Sequence, residues 1–495
     1  MTKSTQQPES IVIVGGGTAG WMCAAYLAAK WSKRYHITLI ESAQIGTVGV
    51  GEGSTPFLKQ FFAELGWQES DWMPACSATY KTGIEFSNWT SSQRFKCYFH
   101  PFFSALDLDT AEHFFANCSQ LRRGKNAAVR PEQFFSAATM AQAAVSPVST
   151  TLGGDIDYAY HFDASKLADC LRNFSVQQGV KHLTGNVLNV QCTNGHITQL
   201  ETDCSAPLTA SLFIDCSGFR GLLMKQGLGQ SLQSYQDCLF NDRAVAIPTP
   251  HNPPLQAITP QTRSEGLSCG WMWNIPLTSR IGNGYVYSSQ FSSPEEAEAE
   301  LRQRLNVSDE TPARHLTMPV GRLHEHWHNN CVAIGLAQGF IEPLEATALM
   351  LVQYGIYQLS SRLGEPVSTI SRSQYNTEMN RMFDGIRDYI VAHYYLNTRT
   401  DTPYWRACRH DIRVPENLSL LVNAWDGPGE FEEALDSIDE QLVYLRPSWY
   451  CILAGMGRFK SGAVNLPDPG AAAGIQQYLT RTVGEHFKAQ LLSSR

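Results

Sequence analysis

Apolar and polar positions fall into a recognisable order at the start of the chain. IVIV at 11–14 is a short, fully apolar strand, GGGTAG follows, and WMCAAYLAAKW at 21–31 has helix-forming composition. HITLIE at 36–41 reads as a second strand. Similar pieces return far downstream. SLFIDCSG at 211–218 is an apolar strand, and the segment from CVAIG at 331 begins as a strand and becomes a helix through ALMLVQYGIYQL. GWMWNIP at 270–276, if extended, points Trp271 and Trp273 to one face and Met272 and Asn274 to the other. ENLSLLVNAW at 416–425 and GIQQYLTRTVGEHF at 474–487 fit helices. The pattern predicts a mixed α/β (α+β) protein: a discontinuous module over residues 1–360, an aromatic-rich insertion near 90–150, and a mainly helical region over 361–495. No repeat or low-complexity tract interrupts it.

Composition narrows the partners. The 495 residues are 43% hydrophobic and 11% aromatic, ample for a buried core. Lys+Arg 38 against Asp+Glu 46 gives −8 with no basic run, which argues against nucleic-acid or anionic-membrane binding and leaves small molecules or ordinary proteins. The charge-free stretch 11–29 has the length of a span or a signal peptide, but the glycines in its middle argue against both, and the expected location is the cytoplasm. Thirteen scattered cysteines without a C-x-x-C pair fit reduced thiols in that compartment. HEHWH alternates His324, His326 and His328, which would share a face on a strand; no metal is expected there. SSPEEAEAELRQRL at 292–305 reads as a capped surface helix with a solvated face.

The glycine turn carries the first chemistry. Gly15, Gly17 and Gly20 have G-x-G-x-x-G spacing between strand and helix, and Glu41 ends the next strand about twenty residues later. Such a turn lets backbone approach a pyrophosphate at a helix N-terminus while the acid accepts from a ribose hydroxyl, so an ADP-containing cofactor is expected. The distant strands at 211–218 and 331–334 favour FAD over NAD, and the arrangement resembles the flavoprotein monooxygenases of glutathione-reductase-like fold. Leu336 stands beside Gly335 where that family usually has an acid, so any cofactor contact there uses backbone.

GWMWNIP matches in full the G-W-x-W-x-I-P signature of the flavin-dependent halogenases, the tryptophan-halogenase branch of those flavoproteins. SATYKTGIEFSNW around Lys81 resembles the segment of that family's active-site lysine, and FIEPLEATAL resembles that of its glutamate, here Glu345. GGGTAGWM, GVGEGSTP at 49–56 and YHFDASKLADCL at 160–171 also match. The resemblance implies Lys81 and Glu345 as catalytic residues. Without it, Lys81 reads as a solvated lysine and Glu345 as a first-turn acid. It further implies cofactor contacts at Gly15, Gly17, Thr18, Ala19, Gly20 and Glu41, at Gly49 and Gly51, and at Val187, Leu336 and Leu349. Halide would meet Thr347 and Ala348; Ala348 replaces the family's usual glycine, so its Cβ is expected to alter φ or tighten the halide pocket, with bromide favoured.

In that family reduced flavin and O₂ form a C4a-hydroperoxide, halide attacks its distal oxygen, and hypohalous acid travels through a tunnel to the substrate. Trp271, Trp273, Ile275 and Pro276 would wall the tunnel; His100, Phe102 and Trp449 would line the arene site, with core packing the competing role for these three. RPSWYCILAG at 446–455 offers no carboxylate for an amino-acid ammonium, which favours a simpler indole or phenol. The implied cofactor is FAD used as FADH₂, with chloride or bromide as co-substrate. A separate NAD(P)H-dependent flavin reductase would supply it, since no second nucleotide fingerprint follows the first. A homodimer is compatible with the chain but not specified by it. A hydroxylating monooxygenase and a flavin-binding protein without turnover remain the alternatives.

Overall fold

A computed structural model describes residues 9–46, 51–149, 151–152, 156–251, 257–364, 368–460 and 472–488. The first sheet has six strands. The order is Trp327–His328, Cys331–Ala333, Leu212–Asp215, Glu9–Val14, Tyr35–Glu41, Lys181–Thr184. All pairs are parallel except the outermost, between Trp327–His328 and Cys331–Ala333. The uninterrupted IVIV run follows from this placement, because both faces of a central parallel strand are covered. Ile11 and Ile13 enter the main core, whereas Val12 and Val14 join Phe213 and Leu223 on the other side.

The second sheet has seven strands and carries the tryptophans. Its order is Arg314–Thr317, Arg243–Ala246, Ile281–Tyr287, Gly270–Pro276, Gln261–Gly266, Gly83–Ser87, Cys97–Pro101. The alternation expected of GWMWNIP holds: Trp271 and Trp273 face the main core, and Met272 faces a cluster with Val245, Tyr285 and Leu301. The charged 292–305 segment is the helix Pro294–Leu305, capped by Ser293 in a capping box. It is more than a solvated surface helix, because Ala297 and Leu301 close the back of the tryptophan strand.

A third sheet pairs Gly51–Gly53 and Thr79–Lys81 with Ala159–Asp163. Lys81 therefore ends one sheet, and after Thr82 the chain enters the seven-stranded sheet at Gly83. The aromatic-rich stretch supplies the edge strand Cys97–Pro101 and the helices Leu108–Arg122 and Ser136–Ala143. Past residue 360 the described chain is mainly helical, from the 27-residue helix Thr369–Tyr395 to Ala473–His486. The main core reaches from Ile11 to Phe487.

The three histidines of HEHWH do not converge. Strand pairing begins only at Trp327; His326 is buried on Phe383 and Asn380, and His328 meets Glu325. All thirteen cysteines are free thiols, with Cys76 and Cys170 sulfurs 3.8 Å apart. Among the described residues no helix is long and apolar enough to cross a membrane.

Candidate active site

A cavity of about 630 Å³ runs from the glycine turn to the tryptophan strand. Gly15, Gly17, Thr18, Ala19 and Glu41 line one end, and Gly51, Val187, Leu336 and Leu349 continue it. Gly15 has φ +115°, and a Cβ on it would meet the Cys216 carbonyl at 2.2 Å. A Cβ on Gly17 would meet nothing within 4 Å, so this position opens into the cavity. Gly20 has a different duty: its missing Cβ would lie 1.9 Å from the Gly15 carbonyl oxygen, so it brings helix and turn together. The residues fit a dinucleotide. Gly49 lies outside the described residues.

Trp271, Trp273, Ile275 and Lys81 line the other end of the cavity. The two indoles stand 6.2 Å apart at 59°. Gly284, on the neighbouring strand, makes room for one of them: a Cβ there would reach the Trp273 ring at 2.1 Å. Pro276 is not in the wall; its carbonyl accepts from the Thr79 hydroxyl at 2.7 Å, fixing the strand end beside Lys81.

Lys81 is fully buried. Its Nζ donates to the Ser54 carbonyl at 3.1 Å and stands 5.1 Å from the centre of the Phe102 ring. Burial lowers its pKa to about 7, with the Glu345 carboxylate pulling the other way.

Glu345 is 4% exposed and gripped from both sides. His100 Nδ1 lies 3.0 Å from Oε2, and His393 Nε2 lies 3.0 Å from Oε1. Burial pushes the carboxyl up, but His100 and then His393 outweigh it and hold the pKa down to about 2. His393 Nδ1 is 3.0 Å from the Tyr389 carbonyl. A carbonyl only accepts, so Nδ1 is the ring nitrogen that donates there, and Nε2 is the one turned to the carboxylate. Trp449 packs edge-on to Tyr389, and its indole nitrogen has no protein partner. The His100 Nε2 and Tyr98 hydroxyl are likewise buried without partners, so unpaired polar atoms surround the glutamate.

The turn after Glu345 corrects one expectation. Ala348 is the first residue of the helix Ala348–Ser360, a position that any residue adopts, so its Cβ imposes no backbone strain. The left-handed residue is Ala346, at φ +57°. Ala346 and Ala348 line the cavity. Thr347, the residue before the helix, is buried.

The sequence profile described as tryptophan halogenase matches residues 10–468. The chain belongs to the tryptophan halogenase family. Tryptophan 6-halogenase SttH of Streptomyces toxytricini is 36% identical, over 95% of this chain and 94% of that protein. Tryptophan 7-halogenase RebH of Lentzea aerocolonigenes is 35% identical, over 91% of this chain and 89% of that protein. The solved structure of BrvH, a flavin-dependent halogenase from Brevundimonas sp. BAL3, superposes with TM-score 0.82 at 31% identity, covering 97% of each chain. The protein is a flavin-dependent halogenase whose cofactor is FAD, used reduced, with halide as co-substrate.

Several residues of this halogenase site escaped the sequence reading. His393 comes from a helix 48 residues beyond Glu345, and no local motif marks it. His161 lies between Thr79 at 3.1 Å and Thr262 at 2.9 Å. Thr79 spends its proton on the Pro276 carbonyl, so it accepts from His161 Nδ1–H, and Nε2 accepts from Thr262. Burial, helped by Lys81, holds His161 well below the usual histidine range, hence neutral. Glu52 lines the cavity, and burial with nearby Asp163 raises it to about 7. Only its place in GVGEGSTP offered a signal.

Proposed function

We propose that Lys81 and Glu345 direct electrophilic halogenation of an indole or another electron-rich arene. The observation that carries this reading is the burial of both groups together, a lysine lining the cavity and a carboxylate kept ionised by two histidines. Residues 1–360 hold the flavin through Gly15, Gly17, Thr18, Ala19 and Glu41, and residues 361–495 cover the substrate side. Bound reduced FAD, with O₂, supplies the oxidant that turns halide into hypohalous acid.

Trp271, Trp273 and Ile275 exclude a second organic molecule from the flavin while a small halogen species passes. Lys81 donates a proton to the oxygen of the hypohalous acid, which leaves as water while the halogen goes to a ring carbon. Glu345, at a pKa of about 2, is a weak base but a permanent anion, so its first duty is to stabilise the cationic ring. The ring's proton then passes to the Glu345–His393 pair. His100, Phe102 and Trp449 line the arene site.

Halide meets the turn at Thr347 and Ala348, and bromide, the easier to oxidise, is the preferred ion; equal rates in matched chloride and bromide reactions would refute that preference. A separate NAD(P)H-dependent reductase supplies FADH₂, the enzyme works in the cytoplasm, and it assembles as a homodimer. Reaction of an indole panel with reduced FAD, O₂ and bromide, read by mass spectrometry, tests the function. A bromine isotope pattern supports it, while a gain of one oxygen would make the enzyme a hydroxylase. Lys81→Ala should abolish brominated product and leave reduced-flavin oxidation running; surviving yield would remove Lys81 from the mechanism.

A further inference from the structure

The two tryptophans of the cavity wall are held in different ways. Trp273 has no hydrogen-bond partner for its indole nitrogen and is kept in place by shape, in the hollow over Gly284. Trp271 donates its indole N–H to Glu342 Oε2 at 2.6 Å. Two more donors converge on the same oxygen, the Tyr394 hydroxyl at 2.6 Å and Asn241 Nδ2 at 3.0 Å. Asn241 is itself fixed, because its Oδ1 accepts from the Tyr404 hydroxyl at 2.9 Å. Glu342 is buried, and its Oε1 has no partner.

An indole N–H needs only one acceptor, and a backbone carbonyl would serve. A buried carboxyl is an expensive substitute unless its strength and direction are used. Here it ties the wall strand to the helices Thr369–Tyr395 and Pro403–His410, three residues before Glu345 on the same turn.

We propose that Glu342 is a positioning residue, which with Tyr394 and Asn241 clamps the Trp271 indole in the cavity wall and so keeps oxidant directed to the arene. The inference rests on the halogenation reading for its consequence but not for the clamp itself, so two readouts are needed. In flavin-free protein labelled with ¹⁵N at the indoles, the Trp271 N–H resonance is assigned by its loss in Trp271→Phe. Glu342→Leu should move that resonance upfield and broaden it, whereas Glu342→Gln, which keeps an acceptor oxygen, should leave it near its native position. In turnover with bromide and indole, brominated product per reduced FAD consumed should fall about tenfold in Glu342→Leu and recover in Glu342→Gln. A native resonance and ratio in Glu342→Leu, or a Glu342→Gln as damaged as Glu342→Leu, would overturn the proposal. Should Glu342→Leu fail to fold, Trp271→Phe decides, since it keeps an aromatic ring and deletes the donor; an unchanged ratio there also overturns it. If native enzyme made no brominated product while the resonance behaved as expected, the halogenation reading would fail and the clamp would stand.

Discussion

Glu342 and Glu345 sit on one turn, both buried, yet their surroundings are opposite. Three uncharged donors meet one oxygen of Glu342, and burial still raises its pKa. Two histidines, one on each oxygen, bring Glu345 down to about 2. Burial alone does not decide whether a carboxyl is charged; the kind of partner does. The same turn thus builds an anchor for an indole and an anion for a reaction.

The largest break in that contrast should come from Glu345→Gln. Halogenated product is expected to fall roughly 10²- to 10⁴-fold while reduced-flavin oxidation continues, measured by product per flavin oxidised. A variant that retained native yield would make the two glutamates functionally alike.

His393→Phe removes one grip and leaves the other. A loss of about tenfold is expected, with the acid limb of the rate profile moving to higher pH as Glu345 loses a stabilising neighbour. An unmoved limb would show that His100 alone sets the charge.

Stability should separate the glutamates next. Glu345→Gln takes from both histidines the carboxylate that each of them faces and should cost about 1.5–3 kcal/mol near neutrality by denaturant unfolding. Glu342→Gln should cost no more than about 1.5 kcal/mol, the scale of one hydrogen bond. The pH dependence has opposite signs. The Glu345 contribution is present above the ordinary carboxyl value of 4.5 and is lost as pH falls towards about 2. For Glu342, raised above 4.5, the contribution is present at lower pH and is lost as pH rises through its folded value. Lys81, lowered to about 7, should give a halogenation rate that declines as pH rises through that value, because the ammonium is the donor.

A separate substitution tests the shape-held partner. Gly284→Ala would press a Cβ into the Trp273 ring and should cost about 1–3 kcal/mol, with a change in tryptophan fluorescence.

Local pattern carried much of this site. The glycine turn, the Glu41 strand and the one-sided tryptophans were legible because periodicity and turn chemistry fix them within a few residues. Lys81 and Glu345 were legible only through whole motifs, since a lone lysine or acid reads as solvated surface. His393, His161 and Asn241 were not, because each reaches the site from a distant element and no spacing in the chain encodes that meeting. The expected change of φ at Ala348 does not occur, because the helix starts there, and the left-handed residue of the turn is Ala346.

Lys81 closes one sheet, and after Thr82 alone the backbone belongs to another. The lysine that lines the cavity therefore rides on a seam. A slight slip of either sheet, caused by a substitution well away from the arene, would reach it through Thr82. Directed evolution of this enzyme should accordingly find rate changes at positions that touch neither flavin nor substrate.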